Sequence, residues 1–279
     1  MPQNWDADPV VIVVAPTGAE VTRQQQPALP HTPREIAEAA VASAAAGASL
    51  VHIHVREPDG TPSSNPDYFK QVVSLVRDRS DMITMVSTGG SVDMTIDERL
   101  TGLDASPDLA GIETGSLNLG DDLFLTSRPD SLTVSRRAAE AGVALEVEAF
   151  DVGHVHSAVR MYERGEIAGL PRFNLVFGVP GGIEARPDAL DAMVRALPVG
   201  ARWTVTAIGR HQRRMLALAV LNGAGGIRVG FEDNVYLSRG VLAPSNAELV
   251  SQAADLVRSL GREVATNAQA RDLLELPSN

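Results

Sequence analysis

The sequence predicts a single-domain α/β fold, a closed (β/α)8 barrel over residues 1–279, on three observations. Short β-branched runs alternate with longer Ala/Leu/Arg/Glu segments of three-to-four spacing along the whole chain. Eight such strand-then-helix units fit a length of 279 residues, close to the roughly 250 typical of this barrel. The turn after the first strand, Pro16-Thr17-Gly18-Ala19-Glu20, lacks the glycine fingerprint of an open dinucleotide-binding sheet. No Ser/Gly linker, composition break or internal repeat marks a second domain.

Residues 10–17 read as the first strand. Thr32-Pro33-Arg34-Glu35 is a capping box with proline at the first helical position, and it opens an Ala-rich helix that ends near Gly47. The second strand is 50–56, followed by a helix over 65–79; the third is 83–88, followed by a short helix over 95–103. Strand 109–116 precedes helix 131–141, and strand 143–150 precedes helix 154–164. Strand 172–178 leads to helix 186–197, and strand 202–209 to helix 214–222. The eighth strand is 226–231, with Ser245 capping a closing helix that runs to Leu260. The longest irregular stretch, 117–129, is expected to be a loop over the active face.

Composition removes several kinds of chemistry. With 24 basic and 35 acidic side chains the formal charge is −11, which repels nucleic acid. No run approaches the roughly 18 apolar residues of a membrane span, and residues 1–8 carry no basic cluster followed by an apolar stretch, so a soluble cytoplasmic protein is expected. The absence of cysteine excludes disulfides, thiolate metal sites and a thiol nucleophile. Lys70 is the only lysine; it lies in Tyr68-Phe69-Lys70-Gln71-Val72-Val73, an early helix turn where a solvated side chain is expected rather than a Schiff-base nucleophile.

A barrel carries its reacting groups at the C-terminal ends of its strands. On strand two the period of two puts His52, His54 and Arg56 on one face, which is half of a metal site or a pair of hydrogen-bonded core histidines. On strand eight Arg228, Gly230 and Glu232 share parity, with Asp233 just beyond. Two His and one carboxylate leave an open coordination position, the catalytic pattern for Zn2+; the other reading of Glu232-Asp233-Asn234 is a capping or solvated acidic loop. Glu146 and Glu148 share parity on strand five, and because an unpaired buried charge is costly, Arg228 or Arg56 is expected to partner them. Ser87-Thr88-Gly89-Gly90 and Thr114-Gly115-Ser116 supply hydroxyls and N–H groups for a ligand or for plain turns. Arg210, Arg213 and Arg214, after strand seven, fit a phosphorylated cofactor or helix N-terminal salt bridges. His154 and His156 open a helix, where residues two apart diverge, and read as structural.

The ordered set Thr17-Gly18-Ala19-Glu20-Val21-Thr22, His52-Ile53-His54-Val55-Arg56-Glu57 with Asp59-Gly60-Thr61-Pro62, Ser87-Thr88-Gly89-Gly90, Glu146-Val147-Glu148-Ala149-Phe150-Asp151, Gly209-Arg210-His211-Gln212 and Val229-Gly230-Phe231-Glu232-Asp233-Asn234 resembles the β-keto acid cleavage enzymes over nearly the whole chain. The resemblance implies a zinc-bearing (β/α)8 barrel assembled as a homotetramer, with His52, His54 and Glu232 holding the metal. It implies that Asp233, supported by Arg228, is the base, with Glu148 nearby and Ser87, Gly90 and Ser116 lining the substrate pocket. The implied reaction joins a β-keto acid and acetyl-CoA and gives acetoacetate and a new CoA thioester. Glu20 matches a glutamate associated with a substrate amino group, which points to an amino-bearing keto acid. Arg210, Arg213 or Arg214 would then meet the CoA phosphates.

Three other readings compete. A zinc hydrolase of the amidohydrolase type also carries His-x-His, but places it after strand one and adds histidines from strands five and six; here strand six, Phe173-Asn174-Leu175-Val176-Phe177, has none. A metal-dependent aldolase that uses no CoA differs only in its substrate requirement. A non-catalytic barrel that binds a small acid would pair its strand-end carboxylates internally and hold no metal.

Overall fold

The computed structural model describes residues 8–277, so of residues 1–8, read above for a targeting segment, only Asp8 falls within it. Eight parallel strands close on themselves: β1 (Val11–Val14), β2 (Leu50–Ile53), β3 (Ile83–Val86), β4 (Leu109–Glu113), β5 (Ala144–Ala149), β6 (Arg172–Phe177), β7 (Arg202–Ala207) and β8 (Gly226–Val229). Each strand lies beside its sequence neighbours, and β8 closes on β1 with Val13 opposite Arg228. The intervening helices are α1 (Pro33–Ala46), α2 (Pro66–Arg77), α3 (Ile96–Arg99), α4 (Arg128–Ala141), α5 (Val152–Glu163), α6 (Pro187–Ala196), α7 (Gln212–Leu221) and α8 (Asn246–Ser259). The box at Thr32 and Glu35 caps α1 as its spacing predicts. Among the described residues no helix is long and apolar enough to cross a membrane.

Several boundaries differ from the sequence reading, for one reason. The barrel ladder stops as soon as the chain turns out at the mouth, so β1, β2 and β8 are shorter than expected and their last residues become site-bearing loop. Val55–Arg56 leaves the barrel to pair antiparallel with Pro62–Ser63. Arg56 is therefore spent outside the barrel interior: its guanidinium donates to Thr17 Oγ1 and to the carbonyls of Gly18, Val21 and Gly60, at 2.6–3.1 Å. The stretch expected to be irregular contains a hairpin of Leu117–Leu119 with Asp122–Phe124, and Ser127 caps α4 three residues earlier than the pattern suggested. A ninth helix, α9 (Asn267–Leu273), was missed because it is short and follows the last periodic segment. It closes the barrel floor, where Ala270, Leu274 and Leu276 pack against Val11, Leu50, Ile83 and Leu109.

The period of two divides each strand between two surroundings. Outward residues such as Ile12, Val51, Ile53, Val86 and Ile112 meet the helices in the main core. Inward residues on β1 to β3 are apolar, for example Val13, Ile83 and Met85, except His52 at the mouth end of β2, and those on β5 to β8 are largely polar, where Glu146, Glu148, Asn174, Thr204, Thr206 and Arg228 are all buried. The interior thus has one greasy side and one ionisable side, and the ionisable side rises to the mouth.

Candidate active site

His52, inward on β2, and His54, just past its end, meet Glu232 from the loop after β8. One donor atom from each lies within 4.8 Å of the others, and Glu232 Oε1 is 3.7 Å from Nε2 of both histidines. That separation is too long for a hydrogen bond and close to the roughly 3.4 Å between donors that share a tetrahedral ion at ~2.0–2.1 Å each. Both ring nitrogens of His52 and Oε2 of Glu232 are buried without a hydrogen-bond partner. Buried polar atoms are normally satisfied, and a cation between the two residues would give one His52 ring nitrogen and the Glu232 carboxylate a partner. Burial, then the nearby Arg228, holds His52 well below the usual histidine range and pushes His54 down to about 3, so both present neutral imidazoles, the form that binds metals. The residues fit a divalent ion with three protein ligands and an open position.

Gly18 makes room for this cluster. Its φ is +61°, and a Cβ there would stand 2.4 Å from Cγ of Glu232. Glycine is required at this turn both for its conformation and for the carboxylate it admits.

Arg228 ties the ionisable side together. Its Nε donates to Asp233 Oδ2 at 3.0 Å and its Nη2 to Asp233 Oδ1 at 2.8 Å, a two-pronged pair. Nη1 donates to Glu148 Oε1 at 3.1 Å, and Nη2 also meets Glu232 Oε1. Thr206 Oγ1 donates to Asn174 Oδ1 at 2.8 Å, and Asn174 Nδ2 lies 3.4 Å from Glu148 Oε1. Burial works against the Arg228 charge, yet Asp233, Glu232 and Glu148 hold its pKa well above the ordinary range. Burial raises the acids in turn, opposed by Arg228: Asp233 to about 6, Glu148 to about 8, and Glu232 above the usual carboxylate range. Arg228, not Arg56, is the partner of Glu148.

These groups open into a cavity of about 460 Å3 at the barrel mouth. Of the residues singled out from the sequence, Glu20, His54, Ser87, Gly90, Glu148, Arg228, Glu232 and Asp233 wall it. Ser116 does not: its hydroxyl accepts from the Thr126 amide at 2.9 Å and donates to the Thr126 carbonyl at 3.1 Å, which ties down the loop. His154 is buried with Nε2 3.4 Å from the Ser116 carbonyl, His156 is exposed, and Lys70 is exposed beside Asp67. Arg210 and Arg213 wall a separate groove, and Arg214 turns away to donate to the Ala185 carbonyl at 3.2 Å.

Two further walls were not foreseen. Glu113 reaches the cavity from β4 and is paired with buried Arg99 at 2.9 Å. Arg99 also donates to the carbonyls of Thr88 and Leu125 and lies 4.6 Å over the Phe124 ring, so it fastens the Leu117–Phe124 hairpin to the turn after β3. The hairpin in turn meets the loop after β6: the Gly120 amide donates to the Pro180 carbonyl at 2.9 Å. Gly181, at φ +99°, lies so close that a Cβ would stand 2.0 Å from the Asn118 carbonyl oxygen. Glu113 and Asn174 carry the inward parity of their strands and were readable by the rule that found Glu148; Arg99, on a one-turn helix, gave no signal.

Fold and site together define a barrel enzyme whose ionisable groups gather at the mouth beside His52, His54 and Glu232, three side chains that could hold a metal ion. The model of the beta-keto acid cleavage enzyme family matches residues 9–276. The chain is 42% identical over 269 residues to a 3-keto-5-aminohexanoate cleavage enzyme of Fusobacterium nucleatum, covering 96% of this chain and 98% of that one. It is also 42% identical over 277 residues to a 3-oxoadipate:acetyl-CoA acetyltransferase of Cupriavidus necator, covering 97% and 96%. Among solved structures, the oxaloacetate complex of ObcA shares the fold, with a TM-score of 0.79 at 23% identity over 90% of this chain and 68% of that one. The protein belongs to the β-keto acid cleavage enzyme family.

Proposed function

We propose that the enzyme condenses a β-keto acid with acetyl-CoA and releases acetoacetate and a new acyl-CoA thioester, with zinc held by His52, His54 and Glu232. The observation that carries this reading is the group of unpartnered donor atoms on His52 and Glu232, set beside an aspartate that a buried arginine grips with two bonds. When bound, the cation polarises the keto carbonyl and acidifies the neighbouring CH2.

Asp233 takes a proton from that CH2 carbon onto its carboxylate and later returns it to the same carbon. Raised to about 6 by burial, Asp233 remains a carboxylate at neutral pH with a basicity suited to the task. Arg228 is the positioning residue: it fixes both oxygens of Asp233 and remains protonated throughout. Glu148 sits on the other side of Arg228, protonated at neutral pH by its burial, and keeps the arginine from swinging away. Between the two proton transfers a bond forms from the CH2 carbon to the acetyl carbonyl. The CoA sulfur then passes to the keto carbon of the original acid, and the bond between that carbon and the CH2 carbon breaks. Ser87 and Gly90 orient the keto acid, and apolar Leu117, Phe124 and Val176 exclude water from its tail. Glu20, exposed at the rim and walling the cavity, selects an amino-bearing tail.

The test is metal analysis of wild type and His52→Ala, coupled to acetoacetate and acyl-CoA formation from a panel of β-keto acids. About one zinc per chain, lost with His52, and turnover only with acetyl-CoA present support the reading. Zinc with turnover that ignores acetyl-CoA points instead to a metal aldolase or hydrolase. No metal in the wild type overturns the site.

A further inference from the structure

A second depression, of about 880 Å3, runs between α7 and α8 under the hairpin that follows β8. It adjoins the catalytic cavity, since Gly209, Asn234 and Tyr236 wall both. Asn234 follows Asp233 in the chain, and the Gly209 amide donates to the Asp233 carbonyl at 2.8 Å, so the junction lies beside the reacting groups.

The side chains that line this groove have the wrong charge for a chain of −11. Several exposed arginines elsewhere pair with carboxylates, as in Arg34 with Glu38, Arg136 with Glu140 and Arg195 with Asp191, while others, such as Arg79 and Arg164, have no ion pair among the described residues; the groove gathers three of the second kind at one place. Arg210, Arg213 and Arg239 all wall the groove, all are exposed, and none has a carboxylate within 4.0 Å among the described residues. The independent observation is Gln212. It is 4% exposed and lines the groove; its Oε1 accepts from Asn234 Nδ2 at 3.2 Å, while its buried Nε2 has no partner. A buried donor left open beside three guanidinium groups without a carboxylate, of which only Arg210 has a hydrogen-bond partner, His211 Nε2 at 3.2 Å, fits a phosphorylated, acceptor-rich ligand, and the loops after strands seven and eight are where barrels commonly hold phosphate.

We propose that this groove holds the 3′-phosphorylated ADP end of CoA, with Arg210, Arg213 and Arg239 on its phosphates, Gln212 donating to it, and the pantetheine arm passing Tyr236 into the cavity. The proposal rests on the acetyl-CoA reading above and revises the expected arginine set. Arg214, spent on the Ala185 carbonyl, is replaced by Arg239, which the Tyr236–Ser238 and Val241–Leu242 hairpin carries in from the other side. The hairpin and the start of α7 form the two jaws of the nucleotide site.

The test uses Arg213→Gln, Arg239→Gln and Arg214→Gln in the full-length protein. Three quantities are read: the KM for acetyl-CoA, the KM for the keto acid, and calorimetric binding of adenosine 3′,5′-bisphosphate. The first two variants are expected to raise the KM for acetyl-CoA roughly tenfold each and to weaken the bisphosphate equally, with the KM for the keto acid unmoved and Arg214→Gln tracking wild type. Unaltered acetyl-CoA and bisphosphate binding in both overturns the groove and leaves the acetyl-CoA reaction standing. If wild type proves independent of acetyl-CoA, the reaction falls and the bisphosphate alone decides: binding that Arg239→Gln abolishes supports the groove, and no binding overturns it. A change of oligomeric state in light scattering with unaltered KM values makes the groove a contact between copies and also overturns it.

Discussion

Glu146 and Glu148 stand two residues apart on the same strand, both facing the barrel interior and both buried, yet they lie in different chemistry. Glu148, on the mouth side, bonds Arg228 and Asn174 and is crowded by Glu113 and Glu232. Glu146, toward the floor, has no ion pair among the described residues; the nearest floor cation, Arg172, is spent on the carbonyl of Leu274. Burial raises both, Glu148 to about 8 and Glu146 to about 7. At the mouth, several acids share one arginine beside two neutral histidines, which is a costly arrangement with a chemical use. At the floor, a lone acid lies buried beside Val11, Val13, Leu50 and Thr204 and away from the mouth groups, so its proton bears on stability alone.

Removing the shared arginine breaks this contrast most severely. Arg228→Met leaves Asp233 and Glu232 without their shared cation and Glu148 without its donor, and should cost about 3–5 kcal/mol in urea unfolding at neutral pH, with activity lost; the cost should shrink in acid as the carboxylates protonate. Asp233→Asn separates chemistry from folding: a fall of roughly 10^3 in kcat/KM is expected with little change in the urea midpoint. Equal losses in both would make Asp233 a structural residue.

Glu146→Gln sharpens the floor side. Because the folded pKa of Glu146, about 7, lies above its ordinary 4.5, its favourable contribution is fully present below about pH 4.5 and is lost as pH rises through 7. The variant should match wild type near pH 4.5 and exceed it by about 3 kcal/mol at pH 8. Parallel stability curves would sink that account. The smallest effect is expected at the rim: Glu20→Gln should raise the KM for an amino-bearing keto acid roughly tenfold and leave that for a neutral-tailed one unchanged.

Parity explains what could be read in advance. A period of two is rigid, so His52, Glu148 and Arg228 could be assigned to the interior from the sequence, and the order of eight units gave the closed barrel. The same rule failed at Arg56 because it holds only while the strand lasts, and β2 ends at Ile53. Beyond the strand ends parity was no sure guide: His54 and Glu232 reach the site as expected, whereas Arg56 and Ser116 do not. Ser116 lies in a turn whose direction is set by Thr126, and Arg99 and Arg239 reach their places through loop paths that no local pattern encodes. Glu113 and Asn174 were legible and passed over, since neither stood beside a second ionisable residue in the chain.

The Leu117–Phe124 hairpin and the loop after β6 touch backbone to backbone at Gly120, Pro180 and Gly181, without side chains to cushion them. Their lengths are therefore not independent. An insertion in one pushes directly on the other, so natural variants of this barrel with a larger tail chamber should alter both segments together. A mutagenesis library aimed at new keto acids has to randomise the two as one unit.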